Sequence, residues 1–144
     1  MTDAMKTDLA LARRGTGGLT SDRDGVELAE RRGGLGLVTG RENLAQALLN
    51  RLHTRRNALA GLGHPGYGSR LHTLAGEPDT RRTRALAELY VREALTADSR
   101  VAEVASVTFQ TQPRTSALRH ALSMRVVVLP ADGGEPLELT VRTA

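Results

Sequence analysis

The apolar residues of this chain change their period once, and that change fixes the class of fold open to it. Between Leu44 and Ala94 they recur at intervals of three and four. Leu118, Leu122, Met124, Val126 and Val128 instead alternate with polar neighbours, and so do Leu137, Leu139 and Val141. A period near 3.6 buries one stripe of a helix, and a period of two buries one face of a strand. Helices that precede strands, rather than alternating with them, make the class α+β. The expected architecture is an antiparallel three-stranded C-terminal meander packed against two main helices, with a Gly-rich N-terminal arm.

The first helix has a marked start. Thr39-Gly40-Arg41-Glu42 fits the capping box, in which the threonine hydroxyl accepts a backbone N–H and the glutamate reaches back. Leu44, Leu48 and Leu52, with Ala45 and Leu49 beside them, form the apolar stripe; Arg41, Gln46, Asn50 and Arg51 fall off it. A second helix begins at a cap on Asp79 or Thr80 and ends near Asp98-Ser99. Leu86, Leu89, Tyr90, Ala94 and Ala97 trace its expected buried face. Between the helices, Gly61 to Ser69 holds four glycines and a proline, which excludes a regular ladder, and Arg70 to Leu74 adds a short helical turn.

The strands are read as Val101 to Gln110, which is β-branched but mixed, then Leu118 to Val128, then Leu137 to Val141. Thr111 to Ala117 and Pro130 to Pro136 are short enough for hairpins. Ahead of all this, residues 1–33 are rich in glycine and mixed charge and bury little apolar area. They are expected to be a flexible or partner-ordered arm, with a short helix over Asp8 to Arg14. Residues 34–144 are expected to be the domain.

With 144 residues, 40% of them apolar and 25% charged, the composition is that of one globular domain with room for an appendage. No stretch approaches the ~20 consecutive apolar residues of a membrane span. Met1 to Ala12 has two acids against one lysine and lacks the basic start and apolar middle of a secretory signal, so the chain is expected to remain in the cytoplasm. It has no cysteine, hence no thiolate chemistry. Of the 20 basic residues all but Lys6 are arginine. Their excess over acids lies within 35–72, in Arg41, Arg51, Arg55, Arg56 and Arg70 against Glu42 alone. Such a face meets phosphates or an acidic protein surface. Phe109, Tyr67 and Tyr90 are too few for base stacking, so nucleic acid is not the expected partner.

Little in the chain points to catalysis. A glycoside hydrolase needs two carboxyl groups about 5–9 Å apart, one held protonated. The acids here, Asp79, Glu88, Glu93 and Asp98, fall on helix surfaces and ends. His53, His64, His72 and His120 lack paired metal-ligand spacing, the glycines match no phosphate or dinucleotide fingerprint, and no serine sits in a nucleophile elbow. No cofactor and no metal are expected. The specialised element is the loop from Gly61 to Arg70, where Tyr67 has two roles open to it: pinning the loop onto the sheet, or offering its ring to a partner.

Leu35-Gly36-Leu37-Val38-Thr39-Gly40, Asn43 to Leu49, Arg51-Leu52-His53-Thr54 and Gly63-His64-Pro65-Gly66-Tyr67-Gly68-Ser69-Arg70-Leu71 together resemble the baseplate wedge family of contractile phage tails. That family includes baseplate assembly protein W, a type VI secretion baseplate component and homologues in extracellular contractile injection systems. The likeness spans about 33–144, and Pro-x-Tyr-Gly-Ser is its most specific block. Asp98-Ser99-Arg100 stands where the family usually has Glu-Pro-Arg, so the turn is less rigid while Arg100 is retained, and Gly66 often gives way to another residue there. The resemblance implies a non-enzymatic baseplate component of a virion or injection system. It would join wedge proteins, and tube or hub proteins, to the first ring of sheath subunits, in multiple copies, six by the symmetry of such particles. The residues it points to for protein contacts are Arg100, Asp98, Pro65, Tyr67, Gly68, Arg55 and Arg56. Strand addition at the edges of the meander is the expected mode. Two alternatives stay open at this point: a small muramidase-like peptidoglycan hydrolase, since some relatives carry a lysozyme label, and a basic nucleic-acid adaptor.

Overall fold

The structure, a computed structural model, describes residues 8–9, 11–13, 26–28, 30–31, 34–35, 37–38, 40–111 and 121–143. In chain order the strands are β1 (Asp8–Leu9), β2 (Leu11–Arg13), β3 (Val26–Leu28), β4 (Glu30–Arg31), β5 (Gly34–Leu35) and β6 (Leu37–Val38). Helix α1 (Gly40–His53), 3-10 turns at Ala60–Leu62 and Leu71–Leu74, and helix α2 (Arg81–Thr96) follow. The chain closes with β7 (Val101–Gln110), β8 (Ser123–Pro130) and β9 (Leu137–Arg142). This is the α+β order that the change of period requires.

The last three strands form an antiparallel sheet in the order β7-β8-β9. Its buried face is built of rows in register. Val107, Val126 and Leu139 make one, and Phe109, Met124 and Val141 the next. Helix α2 lies against β7, α1 lies against β9, and the helices touch each other. Leu44, Leu48, Val91, Leu95, Met124, Val126 and Val141 are all fully buried between these layers.

Strand β7 shows why its sequence looks mixed. Its register shifts between Val101 and Glu103 and again between Val104 and Ser106. Each shift absorbs an extra residue, so Val101, Val104 and Val107 reach the same side at intervals of three instead of two. Strand β9 pairs with β8 without such a shift, from Ser123 opposite Arg142 to Val128 opposite Leu137.

Helix α1 starts at Gly40, whose φ of +59° is a conformation glycine adopts without strain; Thr39 of the expected capping box lies outside the described residues. The stripe of Leu44, Leu48, Leu49 and Leu52 is buried as expected. Gln46 is not off the packed side, however: it and Asn43 are buried too, and neither lacks a partner. Helix α2 is capped by Thr80, whose hydroxyl accepts from the N–H of Thr83 at 3.2 Å. Asp79 instead takes a two-pronged ion pair from Arg84.

Two expectations change here. The buried face of α2 is Thr83, Ala87, Val91, Ala94 and Leu95, flanked by Leu86 and Tyr90, while Leu89 is 55% exposed and Ala97 is exposed. Ala87, Val91 and Leu95, spaced four apart, have no exposed surface, and Leu89 lies off the row they form. The helix expected over Asp8 to Arg14 is absent among the described residues; β1 pairs with β6 and β2 with β3. Partners 13 or more residues away supply those backbone bonds, which local propensity does not register. The expected start of the second C-terminal strand at Leu118, and the turn before it, lie outside the described residues.

Val126 has no exposed surface. Val126→Asp is expected to unfold the domain, because an unpaired buried charge costs several kcal/mol or more against a total stability of about 5–15 kcal/mol. Circular dichroism and thermal melting check this, and a cooperatively folded variant would show that the wrong face has been assigned to the core.

Candidate functional site

After α1 the chain pairs at one point, Arg55 with Ser69 in parallel, with the end of the glycine-rich loop. Ser69 N–H donates to Thr54 O at 2.8 Å, Arg56 N–H to Ser69 O at 3.0 Å, and Asn57 N–H to Tyr67 O at 3.0 Å. The two stretches lie so close that Gly68, at φ +104°, has Thr54 O 2.6 Å and Arg55 O 2.7 Å from where a Cβ would stand. Glycine is required there both for its dihedral and for the space. Asn57, itself at φ +66°, closes the turn by accepting from Gly66 N–H through its side-chain oxygen at 2.9 Å. Buried Ser69 ties the loop to α1 by donating its hydroxyl to Leu52 O at 2.5 Å.

This frame sets Tyr67 beneath Arg51, whose guanidinium lies 4.4 Å from the ring centroid. Arg51 also pairs with Asp98 at 3.9 Å. Asp98 in turn holds Arg100 with two side-chain bonds, Nε to Oδ1 at 3.0 Å and Nη2 to Oδ2 at 2.9 Å, and accepts from the Arg100 N–H at 3.0 Å. Burial alone would push the Asp98 carboxyl upward, but the hydrogen bonds from Arg100 and the charges of Arg100 and Arg51 hold it below its ordinary value. Arg100 O then accepts from Ala131 N–H at 2.8 Å, which links the start of β7 to the β8–β9 hairpin. An aspartate thus does by side-chain hydrogen bonding what a proline at position 99 would do by fixing φ.

A second knot sits alongside. Arg56 and Arg70 both bind the Glu93 carboxylate, and Arg70 stacks 4.6 Å from the Tyr90 ring centroid. The hydrogen bond from Arg70, joined by that from Arg56, holds Glu93 below its ordinary value. The bidentate bond from Arg84 does the same to Asp79.

Of the residues singled out in the sequence, Tyr67, Gly68, Asp98 and Arg100 are therefore brought together through Arg51. Arg56 is tied to Glu93, and Pro65 and Arg55 stay exposed on the surface. Arg51 and Glu93, the hubs of the two knots, were not singled out. Arg51 lies in one of the motif blocks and off the apolar stripe, but sequence spacing does not reveal that it reaches Asp98. Among the described residues, no group of three His, Asp or Glu side chains is placed to hold a metal ion.

A family described as phage protein GP46 matches residues 35–135, well over half of the chain. The chain belongs to the phage protein GP46 family. The matched span takes in α1, the Tyr67–Gly68 loop, α2, the Asp98–Arg100 turn and most of the sheet. No curated protein matches the chain.

Two expectations follow from this geometry. Gly68→Ala should cost roughly 3 kcal/mol or more, since strained backbone and a blocked Cβ act together. Gly66→Ala, with φ +76° but open space around it, should cost only about 1 kcal/mol. Urea unfolding checks both, and equal costs would remove the close approach from the argument. Asp98, whose carboxyl is held down in the folded state, contributes stability that is present above the ordinary aspartate value of 3.8 and is lost as pH falls below it through the lowered folded value. Acid unfolding of Asp98→Asn should show a shallower loss of stability through that window than the parent chain, and parallel curves would count against the pairing.

Proposed function

We propose that this member of the GP46 family is a non-enzymatic structural component of the baseplate of a contractile tail or contractile injection system. It joins wedge proteins around the tube to the first ring of sheath subunits by strand addition. Subunits assemble in the cytoplasm and end as part of the particle.

The observation that carries this reading is the open three-stranded sheet: with the order β7-β8-β9, neither outer strand has a further strand beside it among the described residues. Unpaired N–H and C=O groups along such an edge bind another chain's backbone without demanding a particular side-chain pocket. The resemblance of the Pro-x-Tyr-Gly-Ser loop to baseplate wedge proteins and the match to a phage family both support it. The charge arrangement supports it as well. A glycosidase acid must be held protonated, whereas Asp79, Glu93 and Asp98 are each held ionised by arginine. Among the described residues no helix is long and apolar enough to cross a membrane.

Hydrogen–deuterium exchange on the free chain and on assembled baseplates tests the reading. Amides of β7 or β9 that face away from β8 should exchange freely in the isolated chain and become protected in the particle; unchanged exchange would contradict strand addition. The purified chain should leave peptidoglycan intact. Turnover that Asp or Glu substitutions abolish without loosening assembly would make the chain a hydrolase instead.

A further inference from the structure

We propose that β9 is the docking edge of the sheet, and that the basic pocket at its end takes a carboxylate carried by the incoming strand. This rests on the strand-addition reading above and goes on to name the edge and the partner's chemistry. Two observations on the strands select β9. Strand β7 carries two bulges, and bulges twist an edge away from regular pairing. Strand β9 keeps one register against β8 along its whole length, so its outer side presents an even row of backbone groups.

Where β9 ends, a pocket of about 240 Å³ opens between the last turn of α1, the 3-10 turn at Leu71–Leu74 and Arg142. Its floor is apolar, from Leu52 and Leu71, both buried. His53, Arg55 and His72 stand exposed around it and half-buried Arg142 completes the lining, with no acidic residue among the groups that form it. His72 Nδ1 lies 3.2 Å from Ser69 O and must donate to it, because a carbonyl only accepts; Nε2 remains for another contact.

The charge of Arg55 is surplus here. Of the five arginines in the basic stretch, Arg51 pairs with Asp98, Arg56 and Arg70 pair with Glu93, and Arg41 is bound by the carbonyls of Glu135 and Pro136. Arg55 alone of the five has neither a carboxylate nor a carbonyl partner for its guanidinium among the described residues, and it opens onto this pocket. A guanidinium with a planar fork of donors is suited to a carboxylate.

Size and lining decide what kind of anion fits. The volume is below the roughly 300–1,000 Å³ of small-molecule sites, so it admits one side chain or chain end. An apolar floor under a basic rim favours a group with methylenes behind its charge over a bare inorganic anion. A strand paired along β9 would bring one of its residues beside Arg142 and Thr143, at the mouth of the pocket. The occupant is therefore an acidic side chain on the partner strand.

Nuclear magnetic resonance on the full 144-residue chain tests this with butyrate as the probe, butyramide as its neutral counterpart and inorganic phosphate as the bare anion. Butyrate should give saturable shifts at the Thr143 amide and the His72 ring, with millimolar affinity. Butyramide should give none, and phosphate should bind more weakly than butyrate. Arg55→Gln, an exposed change that leaves the core intact, should weaken butyrate about fivefold. Absent or non-saturating shifts, equal shifts with butyramide, tighter binding of phosphate, or an unchanged Arg55→Gln titration would each overturn the pocket assignment. Such a failure leaves edge protection in assembled particles untouched, and if that protection falls on β7 while β9 stays open, the choice of edge is overturned with the strand-addition mode intact.

Discussion

The contact between Gly68 and the backbone of Thr54 and Arg55 sets the position of Tyr67 and, through it, the chain of charges Arg51, Asp98 and Arg100. With carbonyl oxygens 2.6 and 2.7 Å from where a Cβ would stand, the loop can close on the end of α1 only because position 68 has no side chain. That closure places Tyr67 under Arg51. Arg51 then reaches Asp98, and Asp98 fixes Arg100 at the point where α2 gives way to β7. A loop between two helices and a turn before the sheet are thereby locked to one another across more than 30 residues of sequence. Of the five arginines behind the basic excess, which from charge counts alone resembles a nucleic-acid face, Arg51, Arg56 and Arg70 are held by carboxylates at or beside this junction.

The consequence for function lies in what the junction leaves free. The helices cover one face of the sheet, and the charged knots fasten the loop and the inter-element turns, so among the described residues none of these devices adds a strand to the sheet. Bulges disrupt the regularity of β7 and leave β9 even. A domain built this way keeps a rigid core while offering backbone groups to another chain. That suits a component whose work is to be joined to neighbours.

Much of the fold was legible in the sequence because it depends on period and punctuation. The leucines of α1, the Thr80 cap, the turn at Leu71–Leu74 and the alternation of β8 and β9 all follow from local pattern. What was not legible depends on distant partners. Leu89 looked like a core residue, yet it is exposed, and beside the expected Ala94 the buried row is Ala87, Val91 and Leu95, a choice of face that depends on what the helix packs against. The extended pairing of β1 and β2 rests on residues far along the chain. The spacing of valines in β7 makes sense only once two bulges are known. For the candidate site, the sequence marked Tyr67, Gly68, Asp98 and Arg100 without showing that they meet. Arg51, which joins them, lies in one of the resembling blocks, but nothing in that block points to Asp98, and Glu93 lies in no block at all.

The proposed function requires an exposed strand edge that acts as a seam between chains. Electron cryo-microscopy of the assembled particle, with this polypeptide traced in the map, tests that claim most directly. The expected result is a copy of the domain beside the tube where the sheath begins, its three-stranded sheet continued by a strand from a neighbouring protein. A domain placed elsewhere in the particle, or one whose sheet edges face solvent on both sides, would contradict it.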